Sequence, residues 1–80
     1  MNKFNVKIFS PRNKIYDGDC ESLIIPVKDG FYGIQANHVP VTGATVKGQV
    51  KISLNGETMN FEIRNGLFHF EDNQFILISS

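Results

Sequence analysis

The 80-residue sequence contains one cysteine, no tryptophan and no surplus of either charge. A single cysteine cannot form an internal disulfide, so a hydrophobic core has to hold the fold together. Cys20 stands in an apolar segment, which favours a small buried side chain over a reactive thiol. Eight Lys and Arg residues balance eight Asp and Glu residues without a basic run, which excludes a typical nucleic-acid-binding protein.

Long apolar runs are absent as well. No run exceeds about five residues, whereas a membrane-spanning helix needs about 20. The sequence also shows no apolar leader of the secretory kind. We therefore expect a chain that stays in the cytosol and that is soluble when isolated.

Motifs of catalysis and of metal binding are missing too. His38 and His69 lie far apart, and neither belongs to an H-x-x-x-H or C-x-x-C pattern. Asp17, Asp19 and Glu21 alternate, which is more typical of a solvated strand edge than of a calcium loop. The sequence has no G-x-S-x-G and no phosphate-binding loop. It therefore predicts no enzyme, no catalytic residue, no metal ion and no cofactor.

The composition that is present predicts one β-domain over residues 1–80. Apolar residues make up 41 % of the chain and include seven Phe, which is enough for one core and too little for two. Phe4, Val6 and Ile8 alternate with polar residues, as in a half-buried strand. Residues 20–27 form a second extended run. No segment shows sustained helical periodicity.

Three turn signals predict the arrangement of the second half. Asn55-Gly56 and Asn65-Gly66 are typical of two-residue hairpins, and Asp72-Asn73 can turn the chain again. These turns pair Ile52 with Met59, Val50 with Phe61, Ile63 with Phe68, Phe61 with Phe70, and Phe70 with Phe75. All these side chains then share one face, so we expect Phe61, Phe68 and Phe70 to be almost fully buried. The fold class is therefore all-β: a small sandwich of two mostly antiparallel sheets, with residues 48–78 as a four-stranded C-terminal meander.

Three apolar residues break the rule that the outer face is polar. Leu67, Ile76 and Ile78 fall on that face beside His69. One interpretation is that a neighbouring strand or the chain end covers them. The other is that they form a docking surface.

Residues 29–42, DGFYGIQANHVPVT, contain the densest set of turn-forming residues. Gly30, Gly33 and Asn37 tolerate positive φ, and Pro40 favours an extended Val39. This segment resembles the G-I-x-x-x-H-x-P region of the epsilon subunit of F-type ATP synthases. The resemblance continues in order through FNVKIFSP, YDG, KGQVKI, NGLFHF and QFILIS, and so covers nearly the whole chain.

The resemblance implies a non-catalytic subunit of the central stalk. Such a subunit couples rotation of the c-ring to the gamma subunit, and so proton flow to ATP synthesis, at the cytoplasmic face of the bacterial inner membrane. It is peripheral to the membrane through the complex, and the resemblance implies no direct insertion into lipid. In full-length family members two C-terminal helices follow the sandwich and carry inhibition and nucleotide binding. The sequence ends at Ser80, where those helices would begin, so we expect neither property here.

The resemblance also assigns partner-binding residues. The c-ring side corresponds to Asp29, Gly30, Phe31 and Tyr32. The gamma side corresponds to Ser10, His38, Val39, Pro40, Val41 and Thr42. Phe31 replaces a common acidic residue, and Thr42-Gly43 replaces a more apolar pair. We expect both Phe31 and Tyr32 to be exposed at the tip of a turn, and His38 either to bond its own loop or to lie at the partner surface.

A different class of function fits the sequence as well. A free-standing carbohydrate- or peptide-binding sandwich could use the aromatic side chains of Tyr16, Phe31 and Tyr32. An enzyme fragment of the jelly-roll type is a third possibility, which the lack of a metal triad disfavours. Co-purification separates the first two, because a stalk subunit should bring down gamma whereas a lectin-like module should bind glycans.

Overall fold

Nine β-strands and no helix make up residues 2–80, the part of the chain that the computed structural model describes. The strands are β1 (Phe4–Phe9), β2 (Lys14–Cys20), β3 (Ser22–Val27), β4 (Gly30–Gln35), β5 (Val41–Thr45), β6 (Gly48–Leu54), β7 (Glu57–Ile63), β8 (Gly66–Glu71) and β9 (Gln74–Ser79). Polar or turn-forming residues separate most of them, as the sequence pattern requires.

The strands form two sheets that pack face to face. One sheet has five strands in the order β2-β1-β9-β8-β5, and the other has four in the order β4-β3-β6-β7. Every pair is antiparallel except β1 and β9, which run parallel in the middle of the larger sheet. The predicted all-β sandwich is therefore confirmed.

The core lies between the sheets and consists of the inward-facing side chains of alternate residues. Phe70 is fully buried and packs edge-on against Phe4, with ring centroids 5.5 Å apart. Phe68 stacks on Phe75 at 5.8 Å. The other buried apolar residues are Val6, Ile8, Cys20, Leu23, Ile25, Ile34, Val50, Ile52, Ile63 and Leu77.

The predicted four-stranded meander is wrong at its middle turn. The β6–β7 hairpin pairs Val50 with Phe61 as predicted, and β8–β9 pairs Phe70 with Phe75 as predicted. However, β7 and β8 belong to different sheets, so Asn65-Gly66 is a crossing and not a hairpin. Gly66 serves close packing there, because a Cβ atom would collide with the carbonyl oxygen of Ile78.

One of the three expected core phenylalanines is also misplaced. Phe61 is only half-buried, because it lies on β7, an edge strand of the smaller sheet. There it contacts Tyr16 of the opposite sheet, with ring centroids 5.5 Å apart. Phe68 and Phe70 are buried as predicted.

The loops gather at two opposite ends of the sandwich. Residues 10–13, 28–29, 46–47 and 64–65 lie at one end, since β1, β3, β5 and β7 all finish there. We call it the Phe31 end, after the exposed residue that follows the 28–29 turn. Residues 36–40, 55–56 and 72–73 lie at the other, which we call the His38 end.

Candidate partner-binding surfaces

The turn between β3 and β4 presents an aromatic side chain to solvent. The turn occupies Lys28 and Asp29, and Gly30 follows with φ of 136°, which favours glycine. Phe31 is 73 % exposed, as predicted. Tyr32 points the other way because side chains alternate along a strand, and it packs half-buried against the core. The prediction that both rings are exposed is therefore wrong for Tyr32.

His38 holds its own loop together. Its Nδ1 lies 2.6 Å from the carbonyl oxygen of Val39, and its Nε2 lies 3.0 Å from the hydroxyl of Tyr32. Because a carbonyl can only accept, this network assigns the hydrogen to Nδ1 and makes the Tyr32 hydroxyl the donor to Nε2. The ring also lies edge-on to Phe70 at 5.9 Å. These contacts support the structural interpretation of His38.

The loop that carries His38 is fixed from a second side. Asn37 has φ of 67°, and its backbone N–H donates to Oδ1 of Asn73 at 2.7 Å. The Asn73 amide donates back to Oδ1 of Asn37 at 3.1 Å. Val39 is left 69 % exposed on this anchored loop, and Pro40 is exposed beside it.

The outer face of the five-stranded sheet carries a row of apolar side chains. Strand register aligns Ala44, Leu67, Ile78 and Phe9 across β5, β8, β9 and β1. Leu67 is 69 % exposed and Ile78 is 59 % exposed, so neither a neighbouring strand nor the chain end covers them. The covering interpretation is therefore wrong within this chain. We call these four residues the apolar row.

A chain of polar side chains borders the apolar row. Thr42 Oγ1 lies 2.6 Å from Nδ1 of His69, whose Nε2 lies 3.0 Å from Oε1 of Glu71. The sequence did not predict this hydrogen-bonded set. The spacing of His69 and Glu71 places them on one face of a strand, but Thr42 comes next to His69 only because β5 pairs with β8. All three side chains are exposed on the outer face of the sheet, where these contacts order a polar surface.

The residues predicted for the gamma side do not form one cluster. Ser10 lies at the Phe31 end, where it closes a turn with Asn13. His38, Val39 and Pro40 lie at the opposite end. Thr42 faces outward on β5, while its neighbour on that strand is half-buried and packs against the core. That inward neighbour is Val41, so its side chain is not part of an outer surface.

Other candidate chemistry finds little support in this geometry. Cys20 is buried, its thiol donates to the carbonyl oxygen of Ser22 at 3.0 Å, and burial raises its pKa, as expected of an unreactive side chain. Within residues 2–80, no three acidic, His or Cys side chains gather as a metal site. The same part of the chain has no helix long and apolar enough to cross a membrane.

The aromatics of the alternative ligand site do not converge. Tyr16 contacts Phe61 between the β2 and β7 edges, and its hydroxyl donates to the carbonyl oxygen of Asp19 at 2.8 Å. Phe31 and Tyr32 lie on β4, at the other side of the sandwich, and point to opposite faces. A single sugar or peptide could not contact all three rings.

Comparison with known proteins gives a consistent match. The model for the ATP synthase delta/epsilon chain β-sandwich domain matches residues 3–80. The ATP synthase epsilon chain of Leptospira borgpetersenii is 30 % identical over 77 residues, which cover 96 % of this chain and 61 % of that protein. The epsilon chain of Chlorobium limicola is 31 % identical, and the match covers 95 % of this chain and 88 % of that protein. The chain thus spans about three fifths of the Leptospira protein but most of the Chlorobium one.

Solved structures with this fold include a chain of the Euglena gracilis mitochondrial ATP synthase, in a structure of OSCP, F1 and c-ring. It superposes with a TM-score of 0.88 at 15 % identity, covering 96 % of this chain and 50 % of that one. A chain from the central stalk and c-ring structure of Tetrahymena thermophila ATP synthase gives a TM-score of 0.74 at 14 % identity, over 94 % of this chain and 61 % of that one. At such identities the likeness establishes the fold.

Proposed function

Because the chain belongs to the family of ATP synthase delta/epsilon chain β-sandwich domains, we propose that it is the sandwich of a non-catalytic central-stalk subunit. It couples rotation of the c-ring to the gamma subunit in a proton-translocating F-type ATP synthase. It works as a peripheral subunit at the cytoplasmic face of a bacterial inner membrane and needs no cofactor. The observation that carries this proposal is the uncovered apolar row on the larger sheet.

The apolar row explains how separated residues can share one partner. Ser10 directly follows β1 and Thr42 lies on β5, and β9 and β8 lie between these two strands. Three strand spacings of about 4.8 Å separate the outer two of these strands by roughly 14 Å. A subunit that contacts both residues must therefore cross Leu67 and Ile78. We assign this face to gamma, with the Thr42, His69 and Glu71 side chains as its polar rim.

The Phe31 end supports a contact of a different kind with the c-ring. Asp29 is the one acidic side chain in the four loops of that end, and Phe31 projects beside it. Contact with the c-ring at this end depends more on burial of the Phe31 ring than on an ion pair with Asp29. Aromatic rings contribute strongly to binding at interface centres. The hydrogen-bonded sandwich between the two surfaces resists deformation, as transmission of torque requires.

Paired variants test the two surfaces separately. Leu67→Ser with Ile78→Ser removes the middle of the apolar row without disturbing buried side chains, so co-purification with gamma should weaken more than about tenfold. Phe31→Ser should leave gamma binding intact and weaken attachment to the c-ring. Proton-coupled ATP synthesis should fall in both variants.

The thermal midpoints of both variants should stay within a few degrees of the unmodified chain, since the replaced side chains are exposed. The assignment fails if the double variant binds gamma normally, or if both variants weaken the same partner. A chain that ignores gamma but binds a glycan array would instead support the ligand-binding alternative.

A further inference from the structure

The charges of this neutral chain are unevenly distributed between the two ends of the sandwich. Each of the four loops at the Phe31 end carries one exposed basic residue, and these are Arg12, Lys28, Lys47 and Arg64. Asp29 is the one acidic residue in those loops, and Glu62, next to the end of β7, lines a surface pocket together with Arg12 and Arg64. At the His38 end, Glu21 lies between β2 and β3, Asp72 lies between β8 and β9, and Glu57 and Glu71 lie at strand termini. Lys3, just before β1, is the basic residue at that end.

The four cations occupy the corners of the sandwich. Their loops adjoin β2, β4, β5 and β7, which are the four edge strands of the two sheets. Five strands at about 4.8 Å spacing make the larger sheet roughly 19 Å wide, so the charges are spread over the whole end. Among the described residues, the Lys and Arg ion pairs do not include any of these four side chains.

An apolar groove lies on the outer face of the four-stranded sheet, beside Phe31 and next to the same end. It has a volume of about 560 Å³. Its apolar lining comes from Ile24, Pro26, Phe31 and Val46, and Lys47 and Lys51 stand at its rim. The apolar lining can contact a hydrocarbon group, and the neighbouring lysines can bind an anionic group of the same ligand.

We propose that the Phe31 end binds the surface of a bilayer that contains anionic phospholipid. Phe31 enters the interfacial region, and the four corner cations lie over the phosphate groups. The spread of the charges favours a lipid plane over a single acidic peptide, because a site for one phosphate or carboxylate gathers its cations at one point. Near an anionic surface each Lys or Arg contributes substantially and additively. This binding belongs to the isolated chain and goes beyond the proposed role in the stalk.

The absence of tryptophan gives a direct test of orientation. Phe31→Trp and Val39→Trp each introduce a single reporter, at exposed apolar positions on opposite ends of the molecule. With vesicles of equal parts phosphatidylglycerol and phosphatidylcholine at low salt, the fluorescence of Trp at position 31 should shift to the blue. Brominated acyl chains should quench it. Trp at position 39 should show neither effect.

A charge-matched pair tests the electrostatic part. Lys28→Glu with Lys47→Glu and Lys3→Glu with Lys7→Glu change the net charge by the same amount, but only the first pair alters the Phe31 end. In vesicle co-sedimentation the first variant should bind more than about tenfold more weakly than the second. Binding of the unmodified chain should disappear in high salt and on pure phosphatidylcholine.

Several results would overturn the proposal. These are equal loss in the two charge variants, equal binding to neutral vesicles, a blue shift at position 39, or no binding to phosphatidylglycerol. Capture of the chain by immobilised polyglutamate, without binding to vesicles, would point to an acidic protein partner instead. None of these outcomes depends on gamma or the c-ring, so failure here leaves the stalk function untouched.

Discussion

Alanine substitutions at Phe70 and Phe61 test the two-sheet arrangement, because the two phenylalanines are buried to different extents. Phe70 is fully buried against Phe4 and His38, whereas Phe61 is half-buried on an edge strand against Tyr16. Truncating a fully buried Phe costs about 3–5 kcal/mol. About half of that area is lost at Phe61, so Phe61→Ala should cost roughly 1.5–2.5 kcal/mol.

The size of the domain decides how these changes are measured. A chain of this length has a free energy of unfolding of about 4–12 kcal/mol, so Phe70→Ala could leave little folded protein. Phe70→Leu is then the quantifiable substitute. Urea denaturation followed by circular dichroism gives the free energy of unfolding of each variant, and an unchanged m-value confirms that the compared states are the same.

Double-mutant cycles separate the two possible topologies. In the sandwich, Tyr16 and Phe61 touch, so their alanine variants should couple by about 0.5–1.5 kcal/mol. Phe61 and Phe70 lie in different sheets and should add within about 0.5 kcal/mol. The two-sheet arrangement is refuted if Phe61→Ala costs as much as Phe70→Ala and those two positions couple by more than about 1 kcal/mol.

Three further outcomes follow from local contacts. Tyr32→Phe removes the hydroxyl donor to His38 and should lower the free energy of unfolding by about 1 kcal/mol in denaturant melts; no loss would mean that the bond is replaced by water. Gly66→Ala should cost about 1–3 kcal/mol, since its Cβ would meet the backbone of Ile78, and a neutral result would contradict the tight crossing. Burial raises the pKa of Cys20 above its ordinary 9.0. As the pH rises, the thiol therefore ionises in the unfolded chain before it ionises in the folded one. The free energy of unfolding is unaffected by this thiol below about pH 9 and falls as the pH rises further. Cys20→Ala should flatten that alkaline decline in thermal melts, and an unchanged slope would assign the decline elsewhere.

The alternation of side chains predicted what faces inward but not which strands pair. The inner faces of both sheets point into the same core, so the pattern from Phe61 to Phe68 looks identical whether the chain turns back or crosses over. Asn65-Gly66 was consistent with a hairpin on local grounds. The turn is a crossing because β8 pairs with β5 and β9 whereas β7 pairs with β6, and the β5–β8 pairing depends on residues distant in sequence.

For the candidate surfaces as well, the sequence predicted local features but not contacts between distant segments. Exposure of Phe31 followed from its glycine neighbours, and the inward direction of Tyr32 follows from strand alternation. The contact of the Tyr32 hydroxyl with His38 depends on the next loop. The bond from Thr42 to His69 required the β5–β8 pairing. The basic end was hidden by the zero net charge, because only the topology reveals that loops with one cation each meet at one end.

The parallel pairing of β1 with β9 has a consequence for biosynthesis. These two strands lie side by side in the middle of the larger sheet, although one begins at Phe4 and the other ends at Ser79. The sheet cannot be completed until β9 has left the ribosome. Such a distant closure raises the contact order and slows folding. A nascent chain stalled before Gln74 would expose the inner face of β1, which makes it a substrate for chaperones until β9 emerges.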